Sequence, residues 1–216
     1  RQLTSRKMQS LVASETKRLD DHHRKLIRDS YEFMKAEKNR NGLGIFIRLF
    51  AEFPQYKNIW PNFREIPDSA LISSDGLKNH ARVYMAGLQH IVESLDEDAT
   101  LGEAVHRIAM SHAKWCIKKY HIESMIPELL DVLRECMGET LPSETAYAWT
   151  TLYDIIGYTS ILYILSYLVL YRESYPDDAE KQSTELSHLT HSHLRPEMKT
   201  SLGFCFLKFH YFIYIH

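Results

Sequence analysis

Basic excess is missing from this 216-residue chain: 26 Lys and Arg stand against 28 Asp and Glu, for a formal net charge of -2. A polyanion is held by a surplus of cations that displaces its counterions, so no nucleic-acid partner is expected. Cysteine is scarce as well. Cys116, Cys136 and Cys205 are the only three, too few and too far apart for a disulfide framework or a metal quartet, which points to a reducing, cytoplasmic setting. Alternating β-branched runs joined by Asn-Gly or Asp-Gly turns are missing, which excludes a β-rich fold. Nor does any clean apolar run reach the roughly 18 residues of a membrane span. The nearest is "IIGYTSILYILSYLVLY" over 155–171, whose all-round apolar character fits packing against a partner or the tail better than membrane association. The chain opens on Arg1 rather than Met, so a preceding segment, with any acylation or targeting signal it carries, is expected.

What is present is helical periodicity, enough for one all-α domain of about 150 residues plus extensions. Residues 1–21 are polar with scattered apolar positions and read as a helical or disordered N-terminal extension. Leu26, Ile27, Tyr31 and Met34 make the first core stripe, and Gly42, Phe46, Leu49, Phe50 and Phe53 a second that stops at Pro54. Residues 54–73, with Pro54, Pro61 and Pro67, read as a short helix and a loop carrying Trp60 and Phe63. A long helix over 74–95 has Leu77, Tyr84, Leu88, Ile91 and Leu95 on one face, and His80 on that face too. Thr100 and Glu103 have the spacing of a capping box, and the helix they would open carries Leu101, Val105, Ile108 and then His112 in phase. Ser124 and Pro127 suit the start, and Gly138 the end, of a helix with Ile126, Leu130, Leu133 and Met137 as its stripe. A last helix from Ser143 carries Trp149, Leu152, Tyr153 and Ile156. The total is about seven helices. The core domain is expected over 22–172 and a C-terminal tail over 173–216.

His80 and His112 lie 32 residues apart on two amphipathic helices, each among apolar or aromatic companions. An imidazole on a core face must have its nitrogens satisfied by a hydrogen bond or a metal, since burying them bare costs a few kcal/mol. Two readings follow. Each histidine is a hydrogen-bonded core residue of a helical interaction domain, or the pair faces a flat apolar ligand with a central metal, as haem iron with axial histidines would be. His22, His23, His90 and His106 fall off the stripes and read as solvated. His188, His191 and His193 lack nearby Cys or acidic partners at helical spacing and make a poor metal site.

From His22 to about Ser160 the chain resembles a globin, nearest to the neuroglobin-like and nematode members. "LIRDSYEFM" is similar to the first globin helix, "GIFIRLFAEFP" to the second with its terminal proline, and "LLDVLRECMG" followed by "SETAYAWTTLYDII" to the last two. The resemblance implies a globin fold with N- and C-terminal extensions around haem b, with His112 as the proximal iron ligand and His80 at the distal position. Their separation matches the longer spacing of neuroglobin-like globins. It also implies that Phe46 and Tyr84 line the distal pocket, that Ile108 and Ile117 touch haem on the proximal side, and that Trp60 or Phe63 takes the place of the family's Phe packed flat on the porphyrin. Tyr84 stands where globins carry Val, Ile or Leu. A phenol there would crowd a diatomic ligand or donate a hydrogen bond to it, which disfavours reversible oxygen storage. Arg82, Lys114 and Lys118 are candidate partners of the propionates, and Cys116 would lie near the haem edge, as a redox-linked thiol or a small packing residue.

The expected function is a six-coordinate, bis-histidyl globin in redox or gas sensing and electron transfer, with haem, a diatomic gas (O2, NO or CO) and a redox partner as its ligands. It is read as a binding protein and not an enzyme. The alternatives are an oxygen carrier or store, or a haem enzyme acting on nitric oxide, nitrite or peroxide.

Overall fold

The computed structural model describes residues 2–174 apart from 62, 114, 116 and 139, with side chains from 8 to 164 apart from those and 113. Lys114, Cys116, Cys205, the three tail histidines and the closing aromatic run of the sequence lie outside the described residues. These residues form nine α-helices, one 3-10 helix and no strand. The helices are α1 (Gln2–Thr16), α2 (Asp21–Lys35), α3 (Lys38–Glu52), α4 (Asp68–Leu71), α5 (Asp75–Glu93), α6 (Asp98–Ala113), α7 (Lys119–Glu123), α8 (Ile126–Met137) and α9 (Ser143–Ser174). The 3-10 helix, Pro54–Ile59, follows α3. Two compact units divide the chain, Arg1–Tyr163 and Ile164–His216. The first holds everything discussed below, and the second is described only as the end of α9. Among the described residues no helix is long and apolar enough to cross a membrane.

Local chemistry sets the helix starts. Asp20 caps α2 by accepting from His23 N at 2.8 Å, and Ser74 caps α5 by accepting from Leu77 N at 3.2 Å. Gly138, at φ 67°, ends α8 in the left-handed region that glycine enters without a Cβ penalty. Two expected boundaries are corrected. Thr100 does not open α6; the helix starts at Asp98, Leu101 N already bonds Glu97 O at 2.9 Å, and the Thr100 hydroxyl turns to Glu97 Oε2 at 2.7 Å. Ser124 closes α7 instead of opening α8, its hydroxyl donating to Tyr120 O at 2.8 Å.

The helices bury two joined clusters. The larger gathers Ile27, Tyr31 and Met34 of α2, Leu88 and Ile91 of α5, Leu101 and Val105 of α6, Leu129 and Leu133 of α8, and Trp149 and Leu152 of α9. Trp149 Nε1 donates to Ser30 Oγ at 2.9 Å, so the largest core ring keeps its polar atom satisfied. The smaller gathers Phe46, Leu49 and Phe50 of α3, Tyr56, Phe63, and Leu77 and Ala81 of α5. Gly42 lets α3 approach α5 closely: a Cβ there would stand 2.5 Å from Met85 Cγ and 3.1 Å from Ala81 O. The stripe of α5 runs through Leu77, Ala81, Met85, Leu88 and Ile91. His80 and Tyr84, both expected on that face, instead flank it half-buried, because the buried stripe passes through Ala81 and Met85.

The N-terminal segment is a helix that packs on α6, with Val12 buried and its Cγ1 3.8 Å from where a Cβ of Gly102 would stand. Arg24, itself buried, fastens it. Its guanidinium donates to Leu19 O at 2.8 Å, Leu95 O at 2.8 Å and Thr16 O at 3.3 Å and pairs with Asp98. One side chain thus ties the end of α1 to the start of the helix that carries His112. Along α9 every residue from 155 to 163 is buried, with Lys119 against Gly157 and the His106 ring 4.6 Å from Tyr163.

Candidate functional site

His112 lies in the last turn of α6, and its Nδ1 is 2.8 Å from Ile108 O. A carbonyl only accepts, so Nδ1 carries the proton and Nε2 keeps its lone pair. Burial lowers the imidazole's pKa from its ordinary value while the Ile108 bond works the other way, so the ring is neutral near pH 7. Beyond it the chain doubles back: His112 O accepts from Trp115 N at 3.0 Å and Ile117 N at 3.3 Å, which brings the buried Ile117 beside the end of α6.

His80, midway along the first half of α5, sits in a box of rings. Its centroid is 4.9 Å from Phe46, 5.1 Å from Trp60 and 6.3 Å from Phe63. Neither of its ring nitrogens has a hydrogen-bond partner among the described residues. Burial, and then the charge of His112, push its pKa down to about 4. His112 thus opposes the protonation of His80, and both imidazoles are held as neutral bases.

The ring wall has a clear order. Phe46 and Phe63 are fully buried. Trp60 stacks on Phe63 at 5.5 Å and 19° and keeps part of its surface open. Tyr84, one turn after His80, lies with its ring centroid 5.3 Å from that of Phe46 at 82° and packs against both core clusters. Its hydroxyl bonds the hydroxyl of Tyr153 on α9. Ile108, half-buried, lies one turn before His112 and packs against the larger core cluster. All eight residues expected at the site thus come from α3, the Trp60–Phe63 turn, α5, α6 and the segment after it. Among the cations, Arg82 is exposed and bonds Asn79 Oδ1 at 2.6 Å, and Lys118 is half-buried.

The four histidines expected to be solvated divide. His106 and His22 are exposed, His22 beside Glu144 at 3.2 Å. His23 and His90 are half-buried, His23 packing 5.3 Å from Tyr147. Two participants are absent from the sequence reading. Tyr153 was legible as a core residue but not as the partner of Tyr84; two phenols on core stripes each need a polar neighbour, and that need was the available signal. His121 gave none. Its Nδ1 accepts from Lys118 N at 3.0 Å, and its ring lies 4.7 Å from Tyr56 and 4.2 Å from Tyr120.

Among the described residues no three His, Cys, Asp or Glu side chains group to hold a metal ion. Two imidazoles are too few to cage a bare ion, yet they suffice for an iron already held by four porphyrin nitrogens, and the flat aromatic surroundings suit such a macrocycle.

A globin family model matches residues 43–159, which include both histidines. Cytoglobin-1 of Oryzias latipes is 30% identical over 140 residues, covering 64% of this chain and 79% of that protein. Cytoglobin-1 of Danio rerio is 26% identical over 134 residues, 61% of this chain and 77% of its own length. Neuroglobin of Danio rerio is 24% identical over 140 residues, 64% and 88% respectively. With nine helices, no strand among the described residues and this match over more than half its length, the chain belongs to the globin family, the proteins that bind haem iron and diatomic gases.

Proposed function

We propose that this globin holds haem iron between His112 and His80 and works as a six-coordinate redox or gas sensor, exchanging electrons with a partner in the cytoplasm. The observation that carries the reading is the pairing of an anchored imidazole, His112 Nδ1 on Ile108 O, with a second neutral imidazole that has no other bond to make. A proximal ligand needs its second nitrogen fixed by a carbonyl or carboxylate to set the ring's orientation and basicity, and Ile108 O does this. His80 has the chemistry of a ligand: it is unprotonated and unpartnered, and an aromatic box holds its ring.

Haem, when bound, supplies an iron that alternates between ferric and ferrous states and takes a diatomic gas. The chain's own residues set the terms. Phe46, Trp60, Phe63, Tyr84, Ile108 and Ile117 form the apolar walls that exclude water. His80 competes with any incoming gas, so apparent affinity falls with the fraction of molecules in which that imidazole has withdrawn. Gas binding then registers as a displacement of His80. The three cysteines form no Cys-x-x-Cys-His sequence, which favours a b-type haem held without a covalent link. On this reading the globin domain occupies 22–172, between an extension of 1–21 and a tail of 173–216.

Absorption spectra of the haem-loaded protein in both oxidation states test it. Low-spin spectra in ferric and ferrous forms are expected. His80→Leu should convert both to open or water-ligated iron with haem retained, and His112→Ala should lose most of the haem. High-spin iron in the unsubstituted protein would remove His80 as a ligand, and a protein with no Soret band after haem addition would remove the haem reading altogether.

A further inference from the structure

His112 sits on a segment that is fastened at both ends, and both fastenings lead to the same corner of the N-terminal extension. At the start of α6, Arg24 pairs with Asp98 and donates to Leu95 O, and the same guanidinium donates to Thr16 O and Leu19 O in the corner between α1 and α2. At the far end, the turn after His112 closes on His112 O through Ile117 N, and Lys119 then opens α7 against α9. A Cβ at Gly157 of α9 would stand 3.1 Å from Lys119 Cγ and 3.7 Å from Lys119 Cα and O, so the missing side chain lets Lys119 lie close on α9. Lys119 Nζ pairs with Asp154 Oδ1 at 2.7 Å, and the other carboxylate oxygen, Oδ2, takes Arg18 Nη1 at 2.6 Å. Arg18 belongs to that same corner.

The cations of this group do not need Asp154 for neutrality. Arg18 pairs with the buried Glu15 at 3.0 Å, and Lys119 pairs within α7 with Glu123. What Asp154 adds is a link between elements, one oxygen on the N-terminal extension and one on the segment behind His112. Burial pushes its carboxyl up, but the bonds from Lys119 and Arg18 outweigh burial and hold it below its ordinary range, so both pairs are ionic near pH 7.

We propose that Asp154 is a positioning residue for the proximal ligand and couples the N-terminal extension to His112: docked on α6 and held through Arg18, the extension fixes the segment 117–119 on α9 and, through it, the orientation of His112. The inference rests on the haem reading above, which makes His112 the iron ligand. It goes beyond that reading by giving the corner 15–19, which lies outside the matched globin region 43–159, a part in the strength of the His112 bond.

Two measurements on the full chain read the coupling, one without haem and one with it. In the haem-free protein, Arg18→Gln and Asp154→Asn should each quicken hydrogen exchange at the Ile117 N–H about threefold, the effect of one partly shielded ion pair, while α8 keeps its rates. Asp154→Asn leaves each cation beside its own acid, so the fold is kept. In the ferrous haem-loaded protein with His80→Leu, the iron–histidine stretching band should move in the same direction in both variants. The double variant should move it no further than Asp154→Asn alone, because the two substitutions cut the same link. Arg134→Gln, which removes an exposed ion pair with Asp131 on α8, should change neither readout. Parental exchange at Ile117 and a parental band in Arg18→Gln would overturn the proposal even if Asp154→Asn shifts both, since Asp154 would then act without the extension. Equal quickening at Ile117 and in α8 would overturn it as well, by showing a general loss of stability. A missing Soret band would count against the haem reading alone, because exchange at Ile117 is read without haem.

Discussion

At the residue scale the histidines show how burial, more than sequence, decides what an imidazole does. His80, His112 and His121 are all held neutral, but with different attachments. His112 spends one nitrogen on Ile108 O and His80 spends neither. His121 accepts from Lys118 N through Nδ1, stands against Tyr56 and Tyr120, and is pushed down to about 4 by burial and then by the charge of Lys118. Protonating His121 would convert that acceptor into a donor facing another donor. Its folded pKa lies below the unfolded value near 6.5, so between about 4 and 6.5 the unfolded chain binds more protons than the folded one. Stability contributed by His121 is complete above pH 6.5 and is lost as pH falls through that window. In haem-free protein, His121→Phe should flatten this part of the curve of urea midpoint against pH while leaving the region above pH 7 unchanged in shape. An unaltered curve would show that His121 titrates as it does in the unfolded chain.

At the scale of elements, what was legible depended on whether an element is held by a repeating pattern or by a single side chain. The stripes of α2, α3 and the start of α9 could be read because apolar residues recur at helical spacing, and the stops are ordinary ones: Pro54 after α3 and Gly138 after α8. In α8 the buried face is Leu129, Val132 and Leu133, so of the expected stripe only Leu133 is buried, and Ile126, Leu130 and Met137 flank it half-buried. The placement of His80 and His112 on two separate amphipathic helices was legible from the same helical spacing. Helix α7 was not. It is five residues long, and its backbone is capped by an imidazole at the position where a sequence signature expects Glu or Gln. The docking of α1 was equally hidden, because its specificity comes from a buried arginine that composition reads as surface charge. Arg24 reaches three carbonyls and Asp98 at once. Replacing it with Ala takes the side-chain donor from Leu19 O and Leu95 O and the cation from Asp98, while Thr16 O keeps the Leu19 N–H. The loss should be about 3 kcal/mol, in the range seen when one member of a buried ionic network is removed. Urea denaturation measures it, and hydrogen exchange should quicken in α6 more than in α8, since the clamp ends on Leu95 and Asp98. Uniform quickening across the fold would mean that Arg24 contributes to general stability and does not hold α6 in particular.

At the scale of the whole molecule, the parts proposed to hold haem also lower the stability of the protein without it. Two half-buried imidazoles are kept neutral at the expense of their solvation, one with no hydrogen-bond partner among the described residues, and the aromatic wall keeps the Trp60 surface partly open. A group that binds the folded chain and not the unfolded one stabilises it by RT ln(1 + [L]/Kd), about 4 kcal/mol at a thousandfold excess over Kd. Haem should therefore raise the thermal midpoint strongly, and the two histidine variants should divide the gain unequally. His112→Ala removes the anchored ligand, and the midpoint of that variant should respond little to haem. On the six-coordinate proposal, His80→Leu keeps the proximal bond and the apolar walls and gives up only the imidazole that would leave for a gas to enter, so most of the haem-dependent rise should survive. Its haem-free form should also unfold at a higher temperature than the unsubstituted protein, because a leucine needs no partner where the imidazole has none. Equal losses in the two variants would mean that both histidines carry the haem to the same degree, and would argue against His80 as the ligand that opens the site.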